Sequence, residues 1–211
     1  MPVLIVSRTR MKGGICIGGI SVDNHANVRL LPSSGGHSHP ASAPYRIGQL
    51  WNLDLTTPAT IVPPHVEDMQ VEVARPAGEL EDVAGWLGRN ANVVSGDVSV
   101  LFDGLLRVSH AGTAYIGENA VPRSSVGFWR PSSDLRADDP GQHYLATYGL
   151  REVTVKYVGE APATPVIPAG SLVRVSLARW FSPSGSDWTA CWLQLSGWYP
   201  VAGASTSRRE P

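Results

Sequence analysis

Short apolar runs, cut by glycine, proline and small polar residues, organise this chain. "PVLIVS" at 2–7 is continuously apolar, which predicts a strand covered on both faces. "GGICIGGIS" at 13–21 and "NVRLL" at 27–31 predict two more strands. "GQLWNLDL" at 48–55 alternates, with Trp51, Leu53 and Leu55 on one face and Asn52 and Asp54 on the other. "MQVEV" at 69–73 alternates too. Further strands are predicted at 98–102, 113–117, 151–158, 171–181 and 189–196. Segments 32–44 (with His37 and His39) and 131–142 read as loops, and 201–211 as a flexible tail. One stretch, "GELEDVAGWLGRN" at 78–90, has helical period, with Leu80, Val83, Ala84 and Leu87 on one stripe. About ten strands and one helix make an all-β protein. "YRIGQLWNLDL" and "IPAGSLVRVSL" echo each other, aligning Gly48 with Gly170 and Leu55 with Leu177, the trace a duplicated barrel would leave.

Composition sharpens this picture. The 211 residues suffice for one large domain or two small ones; 22 glycines, 17 prolines and seven tryptophans suit a turn-rich β chain. Net charge is −1, but residues 1–50 carry five basic residues and one acid, whereas 51–104 carry two arginines and nine acids. A basic face can therefore exist on a neutral molecule. Two cysteines, Cys16 and Cys191, both in apolar runs, predict buried thiols rather than a disulfide framework. With no basic-then-apolar leader and no apolar run of membrane-spanning length, the expectation is a cytoplasmic protein away from the membrane.

Three groups of residues carry candidate chemistry. "PPHVED" at 63–68 sets His65, Glu67 and Asp68 behind two prolines. If the following strand runs straight back, His65 and Glu67 share the core-facing side with Met69 and Val71, where an unpaired charge is costly. The run reads either as a polar corner or inter-barrel bridge, or as a catalytic pocket built on His65, Glu67 and an arginine. No CxxC pair exists and the nearest other histidines lie on a loop, so no metal or cofactor is expected. "SRTRMKGG" at 7–14 projects Arg8, Arg10 and Lys12 from a turn, as a solvated corner or as phosphate contacts, with Arg29 on a nearby strand. The close glycines of "GICIGGI" are followed by a strand pattern rather than a helix, which rules out a dinucleotide fingerprint. In the C-terminal hairpin, joined at 182–187, Arg174 and Trp180 share one face of the first strand, and Trp192 and Gln194 one face of the second. The indoles stack bases there or pack at an inter-barrel or subunit interface; packing is the expectation.

Taken in order, "VSRTRMKGGICIGGI", "NVRLL", "YRIGQLWNLDL", "PPHVED" and "FDGLLRVS…AYIG" resemble the dual OB-containing domain family, most clearly over 3–130. The resemblance implies two OB-like small β-barrels and a bacterial association with nucleic-acid modification and phage conflict. The expected division is a barrel over 1–100 with the helix at 78–90, a second over 101–200 and the tail 201–211, the boundary falling within 90–106. The expected function is a nucleic-acid-binding accessory module for a single strand, in a defence or modification system with a possible protein partner; its contacts are Arg8, Arg10, Lys12, Arg29 and Arg174. The alternatives are an enzyme acting on nucleic acid or nucleotide at His65 and Glu67, with Asp68 as a further candidate, and a protein-interaction adaptor. A groove continuous with Arg8, Arg10 and Arg29 favours the first, a deep pocket holding His65 and Glu67 the second, and a flat apolar patch the third.

Overall fold

The apolar run at the start of the chain forms β1 (Pro2–Met11), and its two faces enter two different cores. The computed structural model describes residues 1–138, 140–182 and 188–200. β1 pairs antiparallel with β2 (Gly14–Ser21), which pairs with β3 (Asn27–Pro32). β4 (Gln49–Thr56) and β5 (Asp68–Glu79) complete a closed barrel in the order β1-β2-β3-β5-β4. β3 and β5 run parallel, and β4 closes on β1. Val3, Ile5, Ile17, Leu30, Trp51 and Leu53 fill its interior. Closure leaves these five strands no free edge.

β5 is longer than its alternating core suggests. It stays paired with β4 as far as Gln49↔Glu79, helped by bulges at Leu50/Trp51 and Asp54/Leu55. The helix is therefore shorter than expected: α1 (Val83–Asn90) begins where the Asp82 carboxylate accepts from the Gly85 N–H at 2.8 Å. Its apolar stripe centres on the fully buried Leu87.

The chain then enters a second sheet, formed by β6 (Val93–Gly96), β7 (Arg107–Val108), β8 (Ala114–Gly117), β9 (Val126–Pro131), β10 (Leu135–Ala137), β11 (His143–Tyr148), β12 (Arg151–Tyr157), β13 (Val166–Ile167), β14 (Leu172–Leu177) and β15 (Ala190–Tyr199). The order is β13-β10-β11-β12-β15-β14-β9-β6, with β8 branching from β15 and β7 from β8. The whole is all-β with one α-helix among the described residues. The strand expected at 98–102 is instead a pair of 3₁₀ turns, because Asp97 caps Ser99 N at 2.8 Å and Phe102 and Asp103 take positive φ. The segment 131–142 is not all loop, since it contains β10. Nor is the loop at 32–44 loose throughout: His39 is buried, bridges to Ile15, and its Nε2 lies 3.0 Å from the Leu30 carbonyl. Most of the link expected at 182–187, residues 183–187, and the tail expected at 201–211 lie outside the described residues.

The echo between 48–55 and 170–177 has a shared geometry. Gly48 (φ 93°) and Gly170 (φ 76°) each turn the chain through the left-handed region just before β4 and β14.

Two devices join the halves. Leu4, Val6 and Ile20 from the outside of the barrel meet Leu87, Phe128, Leu172 and Tyr199 in a third apolar cluster. Beyond it the end of β1 is stitched to 158–160: Arg10 N donates to Val158 O at 2.8 Å, and Glu160 N to Arg8 O at 3.0 Å.

Candidate functional site

The 63–68 run lies between the halves. His65 is completely buried, and Glu67 and Asp68 are nearly so. Arg29, on β3, gathers all three. Its Nη2 lies 2.9 Å from His65 Nδ1 and 3.1 Å from Glu67 Oε1, and its Nε 3.3 Å from Asp68 Oδ1. The same Nη2 donates to Ser125 Oγ, which donates to Glu67. Arg179, just past β14, closes the set at 2.7 Å from Asp68 Oδ2. Arg29, Glu67 and Asp68 come from the first half, Ser125 and Arg179 from the second.

The charge states follow from the donors. A guanidinium only donates, so His65 Nδ1 must accept and the ring is neutral. Burial, with Arg29 and Arg179 beside it, pushes the imidazole down to about 3, against a backbone hydrogen bond to Ala178 that raises it. Cys191 Sγ lies 3.9 Å from His65 Nε2, yet burial pushes this thiol up to about 12, so it stays protonated. The cluster is a polar lock between two halves. Neither His65 nor Glu67 is among the described residues that line the cleft beside it. Among the described residues, no three His, Cys, Asp or Glu side chains converge as metal ligands would.

The opening lies beside the lock. A cleft of about 1050 Å³ runs between the outer face of the barrel and the second sheet. Among the described residues, its charged lining comprises Arg10, Lys12, Arg29, Lys156, Arg174 and Arg179 against one acid, Asp138. That acid accepts from the His143 backbone N–H at 2.8 Å and sits 2.9 Å from its ring. These bonds hold the Asp138 carboxyl below its usual range. Arg10, Lys12 and Lys156 are exposed and belong to no ion pair among the described residues.

The sequence candidates thus separate. Arg10 and Lys12 reach the cleft. Arg8 does not: its Nε and Nη2 grip the Glu160 carboxylate, and Nη1 donates to the Ala43 carbonyl at 3.1 Å and also to that of Tyr45. Arg29 borders the cleft with its charge already matched by Glu67 and Asp68. Arg174 is no surface residue but lies at the floor, 3% exposed, with Nη1 donating to Ser196 Oγ at 3.1 Å. Its approach explains Gly18 of β2, whereas Gly19 is crowded by Val3. A side chain at Gly18 would come within 2.5 Å of Arg174 Nη2. Lys156 and Arg179 escaped the sequence reading; Lys156 alternates outward on β12, a signal that any solvated strand gives.

The tryptophans divide too. Trp180 is half-buried and its Nε1 donates to the Pro63 carbonyl at 2.7 Å, spanning the halves. Trp192 is half-buried within the second half, its ring 5.3 Å from Tyr115 and 5.7 Å from Trp188.

The dual OB-containing domain (DuOB) description matches residues 1–198. The chain belongs to this family. No curated protein matches it. Among solved structures, this dual OB-containing chain is similar to the p204 HINb domain, with TM-score 0.36 and 9% identity over 92% of this chain and 95% of that one. It is similar also to a murine DNA-binding protein bound with ds DNA, with TM-score 0.31 and 10% identity over 95% and 97%. Both likenesses are distant.

Proposed function

We propose that this dual OB-containing protein binds nucleic acid in the cleft between its halves, with a single strand as the preferred form. The observation that carries the reading is the cleft's charge: among the described residues, four of its six lining cations, Arg10, Lys12, Lys156 and Arg174, have no carboxylate in ion-pair contact, against one lining acid, on a chain whose net charge is −1. Cations gathered in one concavity attract a polyanion by releasing its counterions. Single-strand preference draws on the face of β15 that carries Gln194 in the cleft. Two residues along the same face stands Trp192, beside Tyr115 and the exposed Trp188. A strand leaving the cleft would find a stacking surface there. The reading extends to the role of accessory module in a bacterial defence or modification system with a protein partner, which the resemblance of the sequence implies, and to a cytoplasmic setting. Among the described residues, no helix is long and apolar enough to cross a membrane.

The test is salt-dependent binding of a short single-stranded oligonucleotide. Replacing Arg10, Lys12 and Lys156 together by Ala should weaken binding and flatten the slope of log K against log salt by about 2, at roughly 0.7 per phosphate contact. An unchanged slope would remove the cleft from the interface.

A further inference from the structure

We propose that the cleft floor recognises a terminal phosphate, so that the preferred ligand is a strand with a phosphorylated end. This inference rests on the nucleic-acid reading of the cleft and specifies its ligand.

Four observations carry it. The first is Arg174. It lines the cleft at 3% exposure; among the described residues no carboxylate lies within ion-pair distance of it and its Nε has no hydrogen-bond partner. A buried cation with no carboxylate in contact is costly to fold around, and an anionic ligand relieves that cost. The second is the row of groups beside it. Register sets Lys156 beside Gln194 and Gln194 beside Ser176 across β12, β15 and β14, and all three line the cleft. An ammonium, a carboxamide and a hydroxyl are donors that suit phosphate oxygens. The third is size. At about 1050 Å³ the cleft has the volume of a large small-molecule pocket rather than of an extended track. An end can descend to its floor, whereas a continuing strand must leave again on both sides. The fourth is the lining itself. Among the described lining residues the one aromatic ring, Tyr157, is buried with its hydroxyl donating to the Ala161 carbonyl, so grip at the floor comes from charge rather than stacking.

A terminal phosphate carries about 1.5 to 2 negative charges at pH 7, against one for a diester. That difference counts most where water is scarce.

The experiment measures binding of three single-stranded hexanucleotides of one sequence, with a 5′-phosphate, a 3′-phosphate or hydroxyls at both ends. One phosphorylated form should bind at least about tenfold tighter than the hydroxyl form, the worth of one charge-assisted contact. The preference should shrink below about pH 6 as the second phosphate proton returns. Arg174→Gln and, separately, the exposed-site variant Lys156→Ala should each reduce the preference. Equal affinity for all three oligonucleotides overturns the end reading while strand binding stands. Absence of binding by any of them at low salt overturns both readings. A preference that survives in Lys156→Ala and in a folded Arg174→Gln overturns the assignment of the floor. Should Arg174→Gln fail to fold, the wild-type comparison and Lys156→Ala decide.

Discussion

His65 is held neutral by geometry, and that has a consequence for stability. Arg29 donates to its Nδ1, so a proton arriving there must break the contact and face two guanidinium groups. In the unfolded chain the ring takes its proton near pH 6.5; in the fold it waits until about 3. Between those values the unfolded state binds more protons, so this group's contribution is complete above pH 6.5 and is lost as pH falls through the window. The slope is at most about 1.4 kcal/mol per pH unit. His65→Gln keeps an acceptor for Arg29 without the titration. It should lower stability at pH 7 by about 1–3 kcal/mol, and the gap from wild type should narrow on acidification. Urea unfolding at pH 7 and pH 5 checks this; parallel curves would show that His65 is not the titrating group. The residue types of the lock stood together in "PPHVED", and the cost of an unpaired charge beside Met69 was readable. Its partners were not, because Ser125 and Arg179 lie 58 and 112 positions from Glu67. Alternation placed Arg174 and Trp180 on one face of the strand, but it separates two sides of a strand without saying what covers either one, so the burial of Arg174 at the cleft floor was not readable.

At the scale of elements, β1 is the strand that binds the molecule together. Its first half feeds two cores, as the unbroken "PVLIVS" run predicts, and its second half is hydrogen-bonded to 158–160. Arg8 and Arg10 differ accordingly. Glu160→Ala should cost at most about 1 kcal/mol, because the carboxylate is 46% exposed, and should leave the salt dependence of oligonucleotide binding unchanged. A steeper slope in that variant would mean that Arg8, once released, contacts phosphate. α1 covers the joint from the other side. Leu87→Ala empties a fully buried position in the cluster shared by both halves and should cost about 2–5 kcal/mol by thermal or urea unfolding. The elements that escaped the pattern are those lacking a clean period. β9, "VGFWRP", holds glycine and proline and sends Trp129 and Phe128 to different cores, so its apolar residues do not alternate. The helix start was misplaced because Glu79 and Glu81 imitate an acidic first turn while β5 is still paired with β4.

For the whole molecule, the cleft and the lock are consequences of the same docking. Arg10, Arg29, Lys156, Arg174 and Arg179 come from five places along the chain, and no local pattern could gather them. The cleft exists only while the two halves hold their relative position. What holds them is substantial: Leu4, Val6 and Ile20 are fully buried, yet they lie on the outside of the barrel that the first 79 residues form. Cut from the second half, that barrel would expose all three as a contiguous apolar face. The halves should therefore unfold as one unit. Tryptophan fluorescence and far-ultraviolet circular dichroism should report a single, coincident urea transition for the full chain. Residues 1–82 expressed alone should be aggregated or only partly folded. Two resolved transitions, or a soluble and cooperatively folded 1–82 fragment, would mean that the halves are independent domains. The cleft's shape would then be set by hinge position rather than by the fold.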